Sequence, residues 1–190
     1  MLLKTLNKKL REVLSYQKEL CDLTLREGID EYLNYLRKNN RHVLGANCSE
    51  EEKLNILCHD ATHIIFGLDT SLEEEAMLDC WLFFGGNYFK IAKEYTKGSL
   101  DLKETNEKVY DLVKEVGYLK YTFLYLRVML FKWPKILIRT AKMKKWNYFF
   151  SSDLLESKIS DIREDFNIKI LSSEERQIKQ VDWSRAIKNS

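Results

Sequence analysis

A chain of 190 residues, 45% of them apolar and 32% charged, is most economically one folded domain with a buried core, and its composition is not that of a disordered or low-complexity segment. The formal net charge of +2 is too small to mark a polyanion-binding protein, and there is neither a Gly-rich phosphate loop nor a nucleic-acid motif. Cys21, Cys48, Cys58 and Cys80 form no C-x-x-C pair, which predicts free thiols in a reducing compartment; Cys58 and Cys80 read as small core residues.

In chain order, Leu3, Leu6, Leu10, Val13 and Leu14 recur at helical spacing among charged residues and predict an amphipathic first helix, packed on the core or lying on a membrane surface. No secretory signal pattern precedes it. Leu20, Leu23, Leu25, Ile29, Tyr32, Leu33 and Leu36 continue as a second apolar helix, and residues 37–48 read as an exposed loop.

Ser49 with Glu52 three residues on is a capping-box signature; Leu54, Leu57, Ala61, Ile64 and Ile65 form an apolar stripe, and Gly67 supplies a left-handed stop. A helix over 50–66 is predicted. Ser71 with Glu74 repeats the capping signature, so a second helix begins near Leu72 after a short turn. On the first helix His63 lies one turn beyond His59, and Asp60 projects roughly 60° from His63, so one ion can reach all three. Antiparallel packing about a turn centred near Asp69 sets Glu75 level with His63. Two imidazoles and up to two carboxylates balance a divalent ion, and mixed nitrogen and oxygen ligands suit Zn, Fe, Mn or Co. Glu73 and Glu74 read as N-terminal helix charges with no site role, and Asp79 as an outer partner or extra ligand.

Beyond the hairpin, Gly85-Gly86 marks a kink or a close backbone approach. Lys97-Gly98-Ser99 reads as a break, and helical periodicity resumes from Glu104 to Trp133, stopping or kinking at Pro134. Residues 118–138 are rich in Leu, Phe, Tyr and Trp, but basic residues interrupt every apolar run of transmembrane length. From Val116 to Ser152 there is no acidic residue against eight basic ones, Lys120, Arg127, Lys132, Lys135, Arg139, Lys142, Lys144 and Lys145. The segment therefore reads as a buried helix with basic edges or one resting on an anionic membrane, with Trp133, Trp146 and Tyr148 as interfacial anchors. Residues 153–166 form a last amphipathic helix, and the tail from Asn167 is polar with a short helical turn from Ser172. The expected fold is mainly α: a single-domain bundle, residues 1–190, of about seven helices around the metal-binding hairpin.

His59-Asp60-x-x-His63, eleven residues and Glu75, with the turn Gly67-Leu68-Asp69-Thr70-Ser71, resembles the metal-binding signature of the coenzyme Q (ubiquinone) biosynthesis family of small helical proteins. Trp146, Leu154, Leu155, Ile159, Asp161, Arg163 and Ile168 are similar to that family's C-terminal helix, so the resemblance spans residues 49–168. It implies oxidative decarboxylation of a prenylated ring derived from 4-hydroxybenzoate, the carbon-one carboxylate being replaced by oxygen. Residues His59, His63, Glu75 and Asp60 would hold one divalent ion, with Asp60 acting either as a ligand or as a catalytic proton carrier. The implied partners are a prenylated aromatic substrate or isoprenoid lipid, an anionic membrane surface, other ubiquinone-biosynthesis proteins and further copies of the chain. The implied location is cytoplasmic, peripheral on the inner face of the membrane. A noncatalytic lipid-binding scaffold for coenzyme Q enzymes is the competing expectation. An HD-type phosphohydrolase would instead need His42 and a distant acid such as Asp111.

Overall fold

The structure, a computed structural model, describes residues 13–39, 49–96, 113–114 and 116–176. The amphipathic helix expected over the first residues, the loop from Asn40 to Cys48 with His42, and Asp111 lie outside the described residues. The described chain is mainly helical, as expected, with eight α-helices and no strand among the described residues. They are α1 (Leu25–Lys38), α2 (Glu50–Ile65), α3 (Leu72–Gly85), α4 (Tyr88–Thr96), α5 (Tyr118–Phe131), α6 (Trp133–Thr140), α7 (Ile159–Phe166) and α8 (Ser173–Arg176).

Helix α1 begins later than its apolar pattern suggests. Leu20 is exposed, and Thr24 opens the helix with a reciprocal capping box: its hydroxyl accepts from the Glu27 amide at 3.2 Å, while the Glu27 carboxylate accepts from the Thr24 amide at 2.8 Å. The last amphipathic helix is split. Ser152–Glu156 is a 3₁₀ turn, and α7 starts only at Ile159, because Ser157 O accepts from the Leu25 amide and the Ile159 amide donates to Leu23 O. This pairing with the start of α1 takes backbone groups that a continuous helix would use internally. The turn of helix from Ser172 is present as α8, its first turn held by the Glu175 amide donating to Ser172 Oγ at 3.3 Å.

The bundle has two sides. Helix α2 packs on α1 and α7, whereas α3 packs on α5 and α6; the α2–α3 turn joins them. The two hairpin helices are therefore not closely packed along their length as an antiparallel pair would be, because each is held by other partners. They meet through long side chains, with Phe66 stacked on Trp81 at 4.7 Å. Gly85-Gly86 serves a close helix approach: a Cβ on Gly85 would stand 2.7 Å from Met143 Sδ and 2.9 Å from Thr140 Cγ2. Lys132 separates α5 from α6, and Pro134 sits in the first turn of α6, where its missing N–H costs nothing.

Two of the expected interfacial anchors are core residues. Trp146 is fully buried against Phe150 and Phe166, with its indole donating to Thr62 Oγ1 at 3.3 Å. Tyr148 is buried and donates to Asn55 Oδ1 at 2.8 Å. Trp133 is half-buried, donating to Ala76 O at 3.1 Å. An indole or phenol whose polar tip finds a partner inside the protein gains nothing from an interface.

Candidate metal centre

Both caps of the hairpin form. Ser49 Oγ accepts from the Glu52 amide and Ser71 Oγ from the Glu74 amide, so α2 and α3 start where the sequence placed them. Helix α2 ends in a Schellman motif: the Leu68 amide donates to His63 O at 2.8 Å and the Gly67 amide to Ile64 O at 3.1 Å, with Gly67 at φ +65°. The backbone of His63 is thus fixed by the stop that follows it.

Two buried arginines finish the turn. Among the described residues the Arg163 guanidinium hydrogen-bonds to carbonyls and to no carboxylate; it donates to Ile65 O (2.9 Å), Ile64 O (2.8 Å), Tyr16 O (2.6 Å) and Lys18 O (2.7 Å). It satisfies carbonyls at the negative end of α2 while tying residues 16–18 to it. Burial lowers its pKa to about 10, so it stays charged at neutral pH. Arg176 donates to Gly67 O at 3.0 Å and lies 3.9 Å from Glu74 Oε2. Glu74 also accepts from the Asp69 amide. Glu73 and Glu74 are both buried, so Glu74 is a turn-holding residue and not merely a dipole charge.

Within this frame His59, His63 and Glu75 bring one ligand atom each within 4.8 Å of the others. His63 Nε2 lies 3.1 Å from His59 Nε2 and 3.3 Å from Glu75 Oε1; His59 Nε2 lies 3.8 Å from Glu75 Oε2. Metal–nitrogen and metal–oxygen bonds of about 2.0–2.1 Å set tetrahedral ligand atoms about 3.3 Å apart. The three donors therefore fit around one ion, and the group can hold a metal. His63 is fully buried, with its ring stacked on Tyr32 at 6.1 Å and edge-on to His59. Its Nδ1 finds no hydrogen-bond partner among the described residues; aromatic packing, in place of the usual outer hydrogen bond, fixes the ring.

Asp60 stands outside this three-residue cluster. It is half-buried beside the cluster, and its pKa rises to about 7 through burial, with His63 opposing and Glu75 assisting; a bound cation would pull it down again. Burial alone would lower the pKa of His63, but the Glu75 charge and hydrogen bond outweigh it and raise it. Glu75, which burial would raise, is lowered by His63 and His59. His59 keeps 38% of its side chain exposed, yet the surrounding protein and His63 lower it to about 4. Without metal the Glu75 carboxylate favours the protonated form of His63, beside a His59 that burial holds neutral above about pH 4.

Asp79, one turn beyond Glu75, is exposed and accepts from Tyr125 Oη at 2.9 Å. It helps line a cleft of about 360 Å³ with Tyr121, Thr122, Tyr125 and Leu126 of α5. A larger hollow, about 500 Å³ between residues 13–19 and 169–175, contains none of the converging groups. Cys21, Cys58 and Cys80 are free and buried, and burial raises the thiols of Cys58 and Cys80 to about 11 and about 12, which suits packing and not nucleophilic chemistry; Cys48 lies outside the described residues. The role of Glu74 and the two arginines was missed by sequence reasoning. The sequence signal for Arg163 is its place on the apolar face of α7, at helical spacing with Ile159, Ile162 and Phe166.

No protein-family model, curated protein or solved structure matches this chain.

Proposed function

We propose that this chain is a metal-dependent enzyme acting on an aromatic carboxylate, most specifically the oxidative decarboxylation of a prenylated ring derived from 4-hydroxybenzoate. The observation that carries the reading is the convergence of His59, His63 and Glu75 at the spacing by which the chain resembles coenzyme Q biosynthesis proteins. In the net reaction the bond from ring carbon to carboxylate breaks with loss of carbon dioxide. A carbon–oxygen bond forms at the same carbon with one atom of dioxygen, the other leaving as water with two protons and two electrons from an external two-electron donor.

His59, His63 and Glu75 would hold one divalent ion, Zn, Fe, Mn or Co. Bound there, such an ion supplies Lewis-acid polarisation of substrate oxygens and, for a redox-active metal, oxygen chemistry. The chain's own groups do the rest. Tyr32 and the stop at Gly67 hold His63 still. Asp60, beside the ligands but outside their cluster, accepts and returns a proton near the ring. The Asp79–Tyr125 cleft, one turn from Glu75, receives the ring, and apolar surface of α5 meets the isoprenoid chain.

Elemental analysis of tag-free protein purified without chelators, beside a folded His63→Ala/Glu75→Ala variant, tests the site. About one equivalent of metal lost in the variant supports it, and decarboxylation of a prenylated hydroxybenzoate in air but not anaerobically supports the reaction. No metal in either protein, even after divalent ions are supplied, removes the basis of the reading.

The exposed apolar residues of α5 favour a second reading, a noncatalytic isoprenoid-binding scaffold that organises coenzyme Q enzymes. A scaffold would keep lipid and partner binding in the His63→Ala/Glu75→Ala variant and form no product in either protein.

A further inference from the structure

The cleft between α3 and α5 opens one helical turn from the metal cluster and has a chemistry of its own. Asp79 is the fourth residue after Glu75 on α3, so it stands about 6 Å further along the axis on the same side of the helix. Tyr121, Thr122, Tyr125 and Leu126 of α5 line the cleft with it. The two tyrosine rings lie 6.2 Å apart, and Tyr125 meets Trp133 edge-on at 6.2 Å. The Trp133 indole is in turn anchored on the carbonyl of Ala76, the neighbour of Glu75. One wall is therefore aromatic and held in place, a surface on which a flat ring stacks.

The polar group of the cleft is an acceptor. Tyr125 Oη donates to Asp79 Oδ2 at 2.9 Å, and burial together with the Asp79 charge raises the phenol above its ordinary value, so it stays a neutral donor. A carboxylate has about four acceptor positions, and the tyrosine takes one of them. No lysine or arginine among the described residues is part of the charge acting on Asp79. This end of the cleft attracts a hydroxyl that can donate and repels a carboxylate, phosphate or sulfate. The other end has the opposite preference, because a cation held by His59, His63 and Glu75 draws an anionic oxygen. An occupant that satisfies both carries an anion on one side of a ring and a hydroxyl on the other. The step of about 6 Å from Glu75 to Asp79 is comparable with the span between the carboxylate and hydroxyl oxygens of a para-hydroxybenzoate.

We propose that Asp79 is a specificity-determining residue for the function proposed above, accepting a hydrogen bond from the ring hydroxyl para to the reacting carboxylate. Tyr125 is the positioning residue that holds the Asp79 carboxylate, and its ring and that of Tyr121 flank the substrate. The assignment rests on that function and adds the group by which the ring is chosen.

Isothermal titration of the full chain with a 4-hydroxybenzoate carrying one prenyl group tests it, in the presence of zinc, which is redox-inert and allows no turnover. The same prenylated ring without the hydroxyl, and the isomer with the hydroxyl in the meta position, are titrated beside it. The para hydroxyl should tighten binding at least about tenfold, as a hydrogen bond to a charged acceptor does, and the meta isomer should forfeit most of that gain. Asp79→Ala should bring the three ligands to equal affinity. Asp79→Asn keeps an acceptor for Tyr125 without the charge, and should leave a preference of about threefold. If the pair only ties α3 to α5, Asp79→Ala and Tyr125→Phe will lower the thermal transition and weaken all three ligands by one factor, which overturns the assignment. So does a parent without hydroxyl preference, or an Asp79→Ala variant that retains it; the metal reading then still stands. The His63→Ala/Glu75→Ala variant should weaken the three ligands alike and keep the preference. If it binds them as the parent does, the metal reading fails while the role of Asp79 stands. Binding of none of the three overturns the assignment, and the metal content of the protein then decides the other reading by itself.

Discussion

The α2–α3 turn and the outer face of α5 break the ordinary partition of residues in opposite ways. At the turn, charged groups go inside: His63, Glu73, Glu74, Arg163 and Arg176 are all buried. On α5, apolar groups go outside, at Leu119, Phe123 and Leu130. In the first region the cost of burial is offset by hydrogen bonds, with four of the Arg163 bonds reaching carbonyls at 2.6–2.9 Å. In the second region nothing inside the described chain offsets the exposure. The lesson is that the turn is built to be rigid by itself, whereas the outer face of α5 carries large apolar side chains that nothing among the described residues covers.

Substitutions can break this contrast. The largest effect is expected from Arg163→Met, which takes this donor from the carbonyls of Tyr16, Lys18 and Ile65 and leaves Ile64 O only the Gly67 amide; urea unfolding should show a loss of about 3–5 kcal/mol. Leu68→Ala, at a fully buried position, should cost about 2–5 kcal/mol by the same measurement. Gly67→Ala should cost about 1–2 kcal/mol, since it must adopt φ +65° and its Cβ would meet Ile170 Cδ1 at 2.9 Å. If metal affinity falls more than stability in this variant, the turn is holding His63 for its ligand. The smallest effect is expected from Leu119→Ser on the outer face of α5, within about 0.5 kcal/mol. The same kind of side chain is thus worth several kcal/mol in one region and almost nothing in the other.

Acid sharpens the contrast further, because the shifted groups of the hairpin couple its stability to pH. The raised pKa of His63 contributes stability that is complete below its unfolded value and lost as pH rises through its folded one. The lowered pKa of Glu75 contributes stability present above its unfolded value and lost as pH falls through its folded one. The pair therefore stabilises the metal-free protein most between those two limits. His59 and Asp60 act against it: His59, lowered to about 4, costs stability as pH falls below its unfolded value. Asp60, raised to about 7, costs progressively more as pH climbs from its unfolded value towards 7. A metal binds the neutral imidazole, so affinity measured against a competing chelator should rise with pH, by about tenfold per unit for each proton displaced, over the range in which His63 holds its proton. A flat profile would mean that the ion does not take the place of that proton.

The hairpin was legible because its instructions are local. Ser49, Ser71, Gly67 and the spacing of His59, His63 and Glu75 are all read within one short stretch, and backbone geometry converts them directly into positions. The capping box at Thr24 and Glu27 was equally local but hidden by Leu20 and Leu23, whose apolar character suggested an earlier start to α1. What stayed illegible depends on residues far apart in sequence. Arg163 reaches carbonyls of residues 16 and 64, the helix expected from residue 153 is interrupted by pairing with the start of α1, and Trp146 is drawn inward by Thr62. Asp60 illustrates a subtler limit: its angle on the helix suits a ligand, but the distance between α2 and α3 is set by other helices.

Two neighbouring residues of α8 tie the α2–α3 turn to the joint between α5 and α6. Glu175 takes Lys132, Lys135 and Arg139 around the α5–α6 joint, and its neighbour Arg176 grips the turn at Gly67 and Glu74. One short clasp therefore fastens two parts of the protein that share no other short segment of this kind among the described residues. A nick at Leu171 or Ser172 would undo both fastenings in a single event, loosening the imidazole frame and the α5–α6 joint together.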